Sequence, residues 1–193
     1  EQLRAAPNIT VLNSETMRVG FLQFDTLGRA KENSPLKDVR VRQAISYAID
    51  RKAMVDNLVR GASRVMNALC FVDQFGCTDQ GVMRYPYDPA KAKALLKEAG
   101  YGNGFEIDLG AYRERDYAEA VIGYLGAVGI KARLNYLRYA AFRDALRAGK
   151  TSIGYQTWGS FSVLDVSAFD GVYFRGGEED LTKDPQVIAD LQK

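Results

Sequence analysis

The sequence contains no histidine and only two cysteines among its 193 residues. Without histidine, the serine–histidine–acid and cysteine–histidine arrangements of many hydrolases cannot be built, so those classes of enzyme are excluded. Two thiols without an imidazole also leave too few ligands for a four-ligand zinc site. We therefore predict neither a metal site nor a cofactor, and no visible catalytic group supports an enzymatic function.

The chain also lacks an excess of either charge and lacks long hydrophobic runs. It carries 26 basic and 24 acidic residues, which are interspersed without the basic stripe that is typical of nucleic-acid binding. Charged residues interrupt every apolar run well before the roughly 20 residues that a membrane-spanning helix needs. We therefore predict neither a nucleic-acid-binding protein nor a membrane-spanning one.

Motifs for phosphate binding and for paired-acid chemistry are weak. No G-x-G-x-x-G or G-x-x-x-x-G-K-[ST] follows a predicted strand, and the glycine-rich stretch at 100–104 follows a helix instead. The acidic run Glu178-Glu179-Asp180 could in principle exchange protons, but adjacent acids usually form a solvated face. We predict that this run is solvated.

Three helices are predicted from their caps and their apolar spacing. Asp38 begins the first helix, whose apolar residues recur at the period of one buried face. Asp50 begins a second short helix, and Asp88 followed by Pro89 begins a third that ends at Gly100. The apolar positions of the first helix are Val41, Ala44, Ile45, Ala48 and Ile49.

Alternation of apolar and polar residues predicts strands at 105–112, 130–136 and 152–158. Helical patterns at 117–129 and 139–149 separate them. This order is typical of right-handed crossover units, so we predict an α/β fold with a largely parallel sheet flanked by helices. The length fits one domain, taken as residues 1–193. Ligands of such sheets bind beyond the carboxyl ends of the strands.

Two strand ends and one irregular segment hold the candidate ligand-binding residues. They are Tyr112 and Arg113 after the first predicted strand, Trp158, Ser160 and Phe161 after the third, and Phe71 in the segment 61–87. Trp158 fits either a core anchor or a pocket wall. Arg113 fits either an ordinary surface turn or a partner for a ligand carboxylate. Asp165 fits either the N-cap of the next helix or a ligand contact.

The two cysteines, Cys70 and Cys77, lie in the irregular segment, where Gly76 allows the chain to turn back on itself. A local disulfide between them is expected in an exported protein, whereas two free thiols are expected in the cytosol. If chain entropy dominates, such a disulfide would stabilise the fold by about 2–3 kcal/mol.

Two longer motifs carry a resemblance to a known family. They are P-L-K-D-V-R-V-R-Q-A-I-S-Y-A-I-D-R at 35–51 and Y-P-Y-D-P-A-K-A-K-A-L-L-K-E-A-G-Y at 85–101. With these motifs the chain resembles the extracytoplasmic solute-binding proteins of the peptide/nickel class, which feed ABC importers. The resemblance implies one lobe of a two-lobed, class II periplasmic binding protein. This chain is expected to be most of the second lobe, truncated and without the N-terminal lobe.

The resemblance also implies where a solute binds. In this family the solute is enclosed between two lobes that close about a hinge, and strand-end loops of this lobe supply one wall. The segment that begins at Trp158 resembles the W-x-x-D of peptide binders, whose acid pairs with the amino terminus of the peptide. Phe161 stands here in place of that acid. This departure argues against a peptide, and sugars, opines and other small molecules stay open.

From the resemblance we expect a receptor lobe that holds a peptide or other small polar solute and delivers it to an ABC permease in the inner membrane. Trp158 and Phe161 would supply apolar or stacking contact, Ser160 a hydrogen bond, and Arg113 a charge partner. The protein would be periplasmic, either free or lipid-anchored. The alternative is a lobe that docks on a permease or a sensor without contacting solute.

Overall fold

The structure is a computed structural model that describes residues 8–12, 14–59 and 61–193. The other residues of the predicted 1–193 domain lie outside this description. In the described part, four strands and seven helices follow one another as β1 Val19–Phe24, α1 Val39–Ala48, α2 Arg51–Met54, α3 Pro89–Glu98, β2 Phe105–Ala111, α4 Arg115–Ala127, β3 Ile130–Tyr136, α5 Tyr139–Arg147, β4 Ile153–Trp158, α6 Ser167–Tyr173 and α7 Pro185–Asp190. None of these helices is long and apolar enough to span a membrane.

The four strands form one mixed sheet in the order β1-β4-β2-β3. β2 runs parallel to β3 along its whole length, and it runs parallel to β4 through Leu109↔Ile153 and Gly110↔Gly154. Because α4 and α5 connect these strands, the predicted α/β fold with a largely parallel, helix-flanked sheet is confirmed. β1, which is not among the predicted strands, pairs antiparallel with β4 and adds an edge to the sheet.

The predicted helix caps are present at all three predicted starts. The Asp38 carboxylate accepts the Arg40 N–H at 2.8 Å, and that of Asp50 accepts the Ala53 N–H at 2.9 Å. α2 then widens into a π-helical turn, Val55–Val59. The Asp88 carboxylate accepts a backbone N–H in the same way at the start of α3. These caps satisfy backbone donors that have no partner within the helix.

The main core lies between one face of the sheet and the helices α1, α3 and α4. Its fully buried residues include Val41, Ala44, Ile45, Leu96, Leu109, Leu125 and Ile130. A smaller cluster on the other face joins Phe142 and Leu146 of α5 to Leu181. The apolar periodicity of α1 therefore marks a packing face, as predicted.

Two glycines let α5 approach the second face of the sheet. A Cβ at Gly110 would lie 3.2 Å from a ring carbon of Phe142, and one at Gly154 would lie 2.9 Å from a methyl of Leu146. Such distances are shorter than ordinary van der Waals contact. These adjacent, paired strand positions therefore set how closely the helix packs.

The prediction for the acidic run is wrong for two of its three residues. Glu178 is exposed, but Glu179 and Asp180 are buried. The Glu179 carboxylate pairs with Arg143 and with Arg147, the latter at 2.7 Å. The run is buried because the chain after α6 crosses the sheet edge, where the Gln23 side chain donates to the Glu179 carbonyl oxygen.

Asp180 organises a tight turn. Its carboxylate accepts the backbone N–H groups of Gly176, Thr182 and Lys183 and the Thr182 hydroxyl, at 2.7–3.0 Å. Burial by itself raises the pKa of Asp180, but the hydrogen bonds from Lys183, Thr182 and Gly176 outweigh it and hold that pKa below its ordinary value. The ionised carboxylate therefore stabilises the folded chain.

We predict that Asp180→Ala lowers the free energy of unfolding by about 2–3 kcal/mol at neutral pH, because several backbone donors lose their partner. Urea denaturation measures this loss, and Asp180→Asn, which keeps one acceptor oxygen, should lose less. Since the folded pKa is depressed, the contribution is present above the unfolded pKa of about 4 and disappears as the pH falls through the folded pKa. Equal stability of the Ala variant and the wild type at neutral pH would contradict this account.

Candidate functional site

The parallel strands bring their carboxyl ends to one edge of the sheet. We call residues 112–114, 137–139 and 158–162 the strand-end rim. At the rim the Tyr112 ring lies 4.9 Å from the ring of Tyr139 and 5.1 Å from that of Phe142, measured between centroids. Tyr112 therefore forms a half-buried aromatic wall, supported by α5 from behind.

The rim after β4 is a left-handed turn in which none of the positive-φ residues is glycine. Ser160, Phe161 and Ser162 have φ values of 50°, 49° and 62°, a region that costs L-residues roughly 1–2 kcal/mol each. Hydrogen bonds from Ser162 N–H to the Gly159 oxygen (2.9 Å) and from Val163 N–H to the Ser160 oxygen (2.8 Å) close the turn. This conformation buries Ser160 to 2% exposure and leaves Phe161 75% exposed.

Trp158 packs against aromatic rings on two sides at the end of β4. Its half-buried ring packs edge-on against Tyr173 of α6, with centroids 5.4 Å apart, and also against the exposed Phe161, at 4.6 Å. The indole Nε1 is buried and has no hydrogen-bond partner among the described residues. Trp158 thus anchors the strand end and supports an aromatic surface that faces out.

The side chains of the other residues predicted to contact a ligand after β2 and β4 are buried or already paired within the protein. Ser160 is buried, so its hydroxyl reaches a solute only if the turn rearranges. Arg113 Nε lies 2.5 Å from a Glu114 carboxylate oxygen, so its charge is paired within the rim. Burial by itself lowers the pKa of Arg113, but the hydrogen bond to Glu114, the charge of Glu114 and the interactions with Tyr112 together outweigh burial and raise that pKa. Asp165 accepts the Ser167 N–H at 2.8 Å at the start of α6, but the N-cap position itself is held by Val166, one residue later than the sequence alternative placed it.

The irregular segment is tied to the rim by a disulfide-closed loop. Cys70 and Cys77 form the expected disulfide. The Gln74 side chain donates to the Val163 oxygen at 2.8 Å, and Phe75 N–H donates to the Leu164 oxygen at 2.9 Å. The loop therefore lies beside the left-handed turn, although no periodicity in its sequence indicated this.

Phe71 lies at the start of this loop and is half-buried. The Arg64 guanidinium lies 5.3 Å from the centroid of its ring. Two largely exposed apolar residues, Phe75 and Leu164, lie next to each other beside the turn and were not predicted. Their neighbourhood depends on a contact between segments about 90 residues apart, so local sequence patterns could not reveal it.

A model of the bacterial extracellular solute-binding proteins, family 5 Middle, matches residues 1–180. The chain belongs to this family of bacterial extracellular solute-binding proteins. The two motifs at 35–51 and 85–101 therefore identified the family correctly.

Among family 5 relatives, the chain is 29% identical to heme-binding protein A of Haemophilus influenzae and 30% identical to the dipeptide-binding protein of Escherichia coli. Each match covers 81% of this chain. The structure of HbpA2 from Haemophilus parasuis superposes on 99% of the chain with a TM-score of 0.83 and 27% identity. The matches cover 29%, 30% and 39% of those proteins, so the chain spans well under half of their length.

The loop disulfide gives a direct test of how the rim is held. We predict that replacing both Cys70 and Cys77 by Ser lowers the free energy of unfolding by about 2–3 kcal/mol, because the unfolded chain regains the conformational entropy that the disulfide removes. Urea denaturation measures the loss, and a reductant should destabilise the wild type but leave the double variant unchanged. Two reactive thiols in the denatured, unreduced wild type would show that the bridge is absent.

Proposed function

We propose that the chain is the second lobe of an extracytoplasmic solute receptor for an ABC importer. It holds a small solute against the strand-end rim, enclosed from the other side by a first lobe. The receptor binds without converting its solute and delivers it to a permease in the inner membrane. Family membership supports this proposal, as does the position of the rim beyond the carboxyl ends of the parallel strands.

The observation that carries the proposal is the aromatic surface of Trp158 and Phe161. A phenylalanine that is 75% exposed stands on a turn whose backbone conformation is costly, and its ring rests against a tryptophan. Backbone strain persists only where the surrounding structure enforces it, and it clusters at ligand-binding and active sites. An exposed aromatic ring on such a turn therefore supports a ligand contact. A solute stacked on this pair removes both rings from water.

The residue at position 161 bears on the solute class. The dipeptide-binding relative and the heme-binding relative show that family members differ in what they bind. At the turn of this chain, the Asp165 carboxylate accepts the Ser167 N–H at the start of α6, and Phe161 carries no charge. We therefore propose that the solute presents an apolar or aromatic group to the turn instead of an ammonium group.

We predict that Phe161→Ala weakens solute binding by about 2 kcal/mol, or about thirtyfold, because the solute loses an aromatic contact. Native mass spectrometry of the protein purified gently from the periplasm identifies the solute, and titration calorimetry then measures its affinity for each variant. Because Phe161 is exposed, its replacement should leave the free energy of unfolding nearly unchanged. Tyr87→Ala, another exposed aromatic residue, is the matched control.

The alternative of a docking lobe that never contacts solute predicts a different result. Under that alternative, solute affinity is the same in the wild type and in Phe161→Ala, while binding to the permease weakens. Solute binding that is unaffected by Phe161→Ala and by Trp158→Ala would overturn the proposed site.

A further inference from the structure

A cavity of about 330 Å³ lies at the same edge of the sheet, on the face opposite Trp158. Tyr155 and Thr157 line it, and side chains alternate along β4, so these residues face away from the side of the sheet that bears Trp158. The start of β1, the helix α2 and the β2–α4 loop complete its walls. Its volume falls within the range of about 300–1,000 Å³ that is typical of small-molecule sites.

Two of the guanidinium groups that line the cavity have no carboxylate partner among the described residues. Arg18 donates to the Thr157 hydroxyl at 3.0 Å, and Arg51 donates to the backbone oxygen of Tyr85. The third, Arg64, pairs with a carboxylate at 3.0 Å. Glu114 also lines the cavity, and one of its carboxylate oxygens pairs with Arg113. In the described part of the chain, the charged residues that line the cavity are thus three arginines and one glutamate, so their net charge is positive.

Two phenol groups add hydrogen-bond donors. Among the described residues, neither the Tyr155 nor the Tyr117 hydroxyl has a hydrogen-bond partner, and both rings line the cavity. Burial, with the nearby charge of Glu114, raises the pKa of Tyr155 well above its ordinary value, so its hydroxyl keeps its proton. Gly20 leaves the space in front of this hydroxyl open, because a Cβ there would lie 3.4 Å from the phenol oxygen.

The remaining wall is apolar. Met54 and Val55, from α2 and the π turn, line the cavity together with other aliphatic side chains. A cavity lined by both apolar side chains and guanidinium groups suits an amphipathic anion, because the apolar side chains contact a hydrocarbon group while the guanidinium groups bind a carboxylate.

We propose that this cavity binds the carboxylate group of an organic acid whose remaining part is apolar, with Arg18 as the main recognition residue and Arg51, Tyr117 and Tyr155 in support. The proposal rests on the proposed function and extends it: the solute is an amphipathic carboxylate that carries no free ammonium group. Its acid end lies in the cavity and its apolar part extends to the rim.

The test uses three probes that share one side chain: N-acetyl-leucine, its neutral amide N-acetyl-leucinamide, and cationic leucinamide. Calorimetry at low salt with the wild-type chain should show the anion binding at least tenfold more tightly than the neutral amide, and the cation binding most weakly. Arg18→Gln should abolish the preference for the anion. Arg18→Lys should retain part of this preference, because lysine keeps the positive charge but lacks the planar guanidinium that binds a carboxylate through two hydrogen bonds.

Arg133→Gln is the matched control, since Arg133 is an exposed guanidinium on β3 that lines a separate cavity near the other end of the sheet. It should bind the probes as the wild type does. Equal affinity for anion and amide, a preference for leucinamide, an unchanged preference in Arg18→Gln, or no binding of any probe to the wild type would each overturn the proposal.

The outcome separates this inference from the proposed function. If Phe161→Ala weakens solute binding while Arg18→Gln does not change the binding of the anion, the result supports the proposed receptor function and contradicts the carboxylate site. If Arg18→Gln abolishes binding of the anion while Phe161→Ala leaves solute binding unchanged, the cavity is an anion site, and the result contradicts the proposal that the rim binds solute.

Discussion

The antiparallel pairing of β1 with β4 positions Trp158 at the rim and the arginine-lined cavity beside it. β2 reaches β4 only at Leu109↔Ile153 and Gly110↔Gly154, so the last residues of β4 extend past β2. β1 alone supplies their ladder partners, from Val19↔Trp158 to Leu22↔Tyr155. Without this pairing, Trp158 would lie on an unsupported strand end, and Arg18 would not lie beside Thr157.

At this edge, the two faces of the sheet differ chemically. Successive residues of β4 point to opposite faces, so Trp158 packs against α6 while Thr157 and Tyr155 border the cavity. One wall is aromatic and the other presents guanidinium and phenol groups. A solute that bridges the strand end therefore meets an apolar contact and a charged contact within one small region.

The left-handed turn shows how the fold holds a costly conformation. Three consecutive residues with positive φ cost roughly 1–2 kcal/mol each, which short backbone hydrogen bonds within the turn offset only in part. The disulfide-closed loop adds hydrogen bonds to the residues that follow, and the aromatic contacts of Trp158 brace the strand before them. The turn is thus preorganised from both sides, which lowers the entropy lost when a ligand binds.

The sequence by itself determined most of the local elements between residues 38 and 158, and it determined the family. The caps Asp38, Asp50 and Asp88 and the alternation in β2, β3 and β4 depend on neighbours a few residues away, and the structure has them where the patterns predict them. The pairing of Cys70 with Cys77 is equally local.

Tertiary structure alone decided which polar groups are buried and which charges stay unpaired. Glu179 and Asp180 look like a solvated run until the chain after α6 reaches Gln23, 156 residues away. Arg18 gains its position from Thr157, 139 residues away. Helical and strand periodicities repeat over two to four residues, so they carry no information on such partners. The partners of a charge, and hence its availability to a ligand, follow only from how distant segments meet.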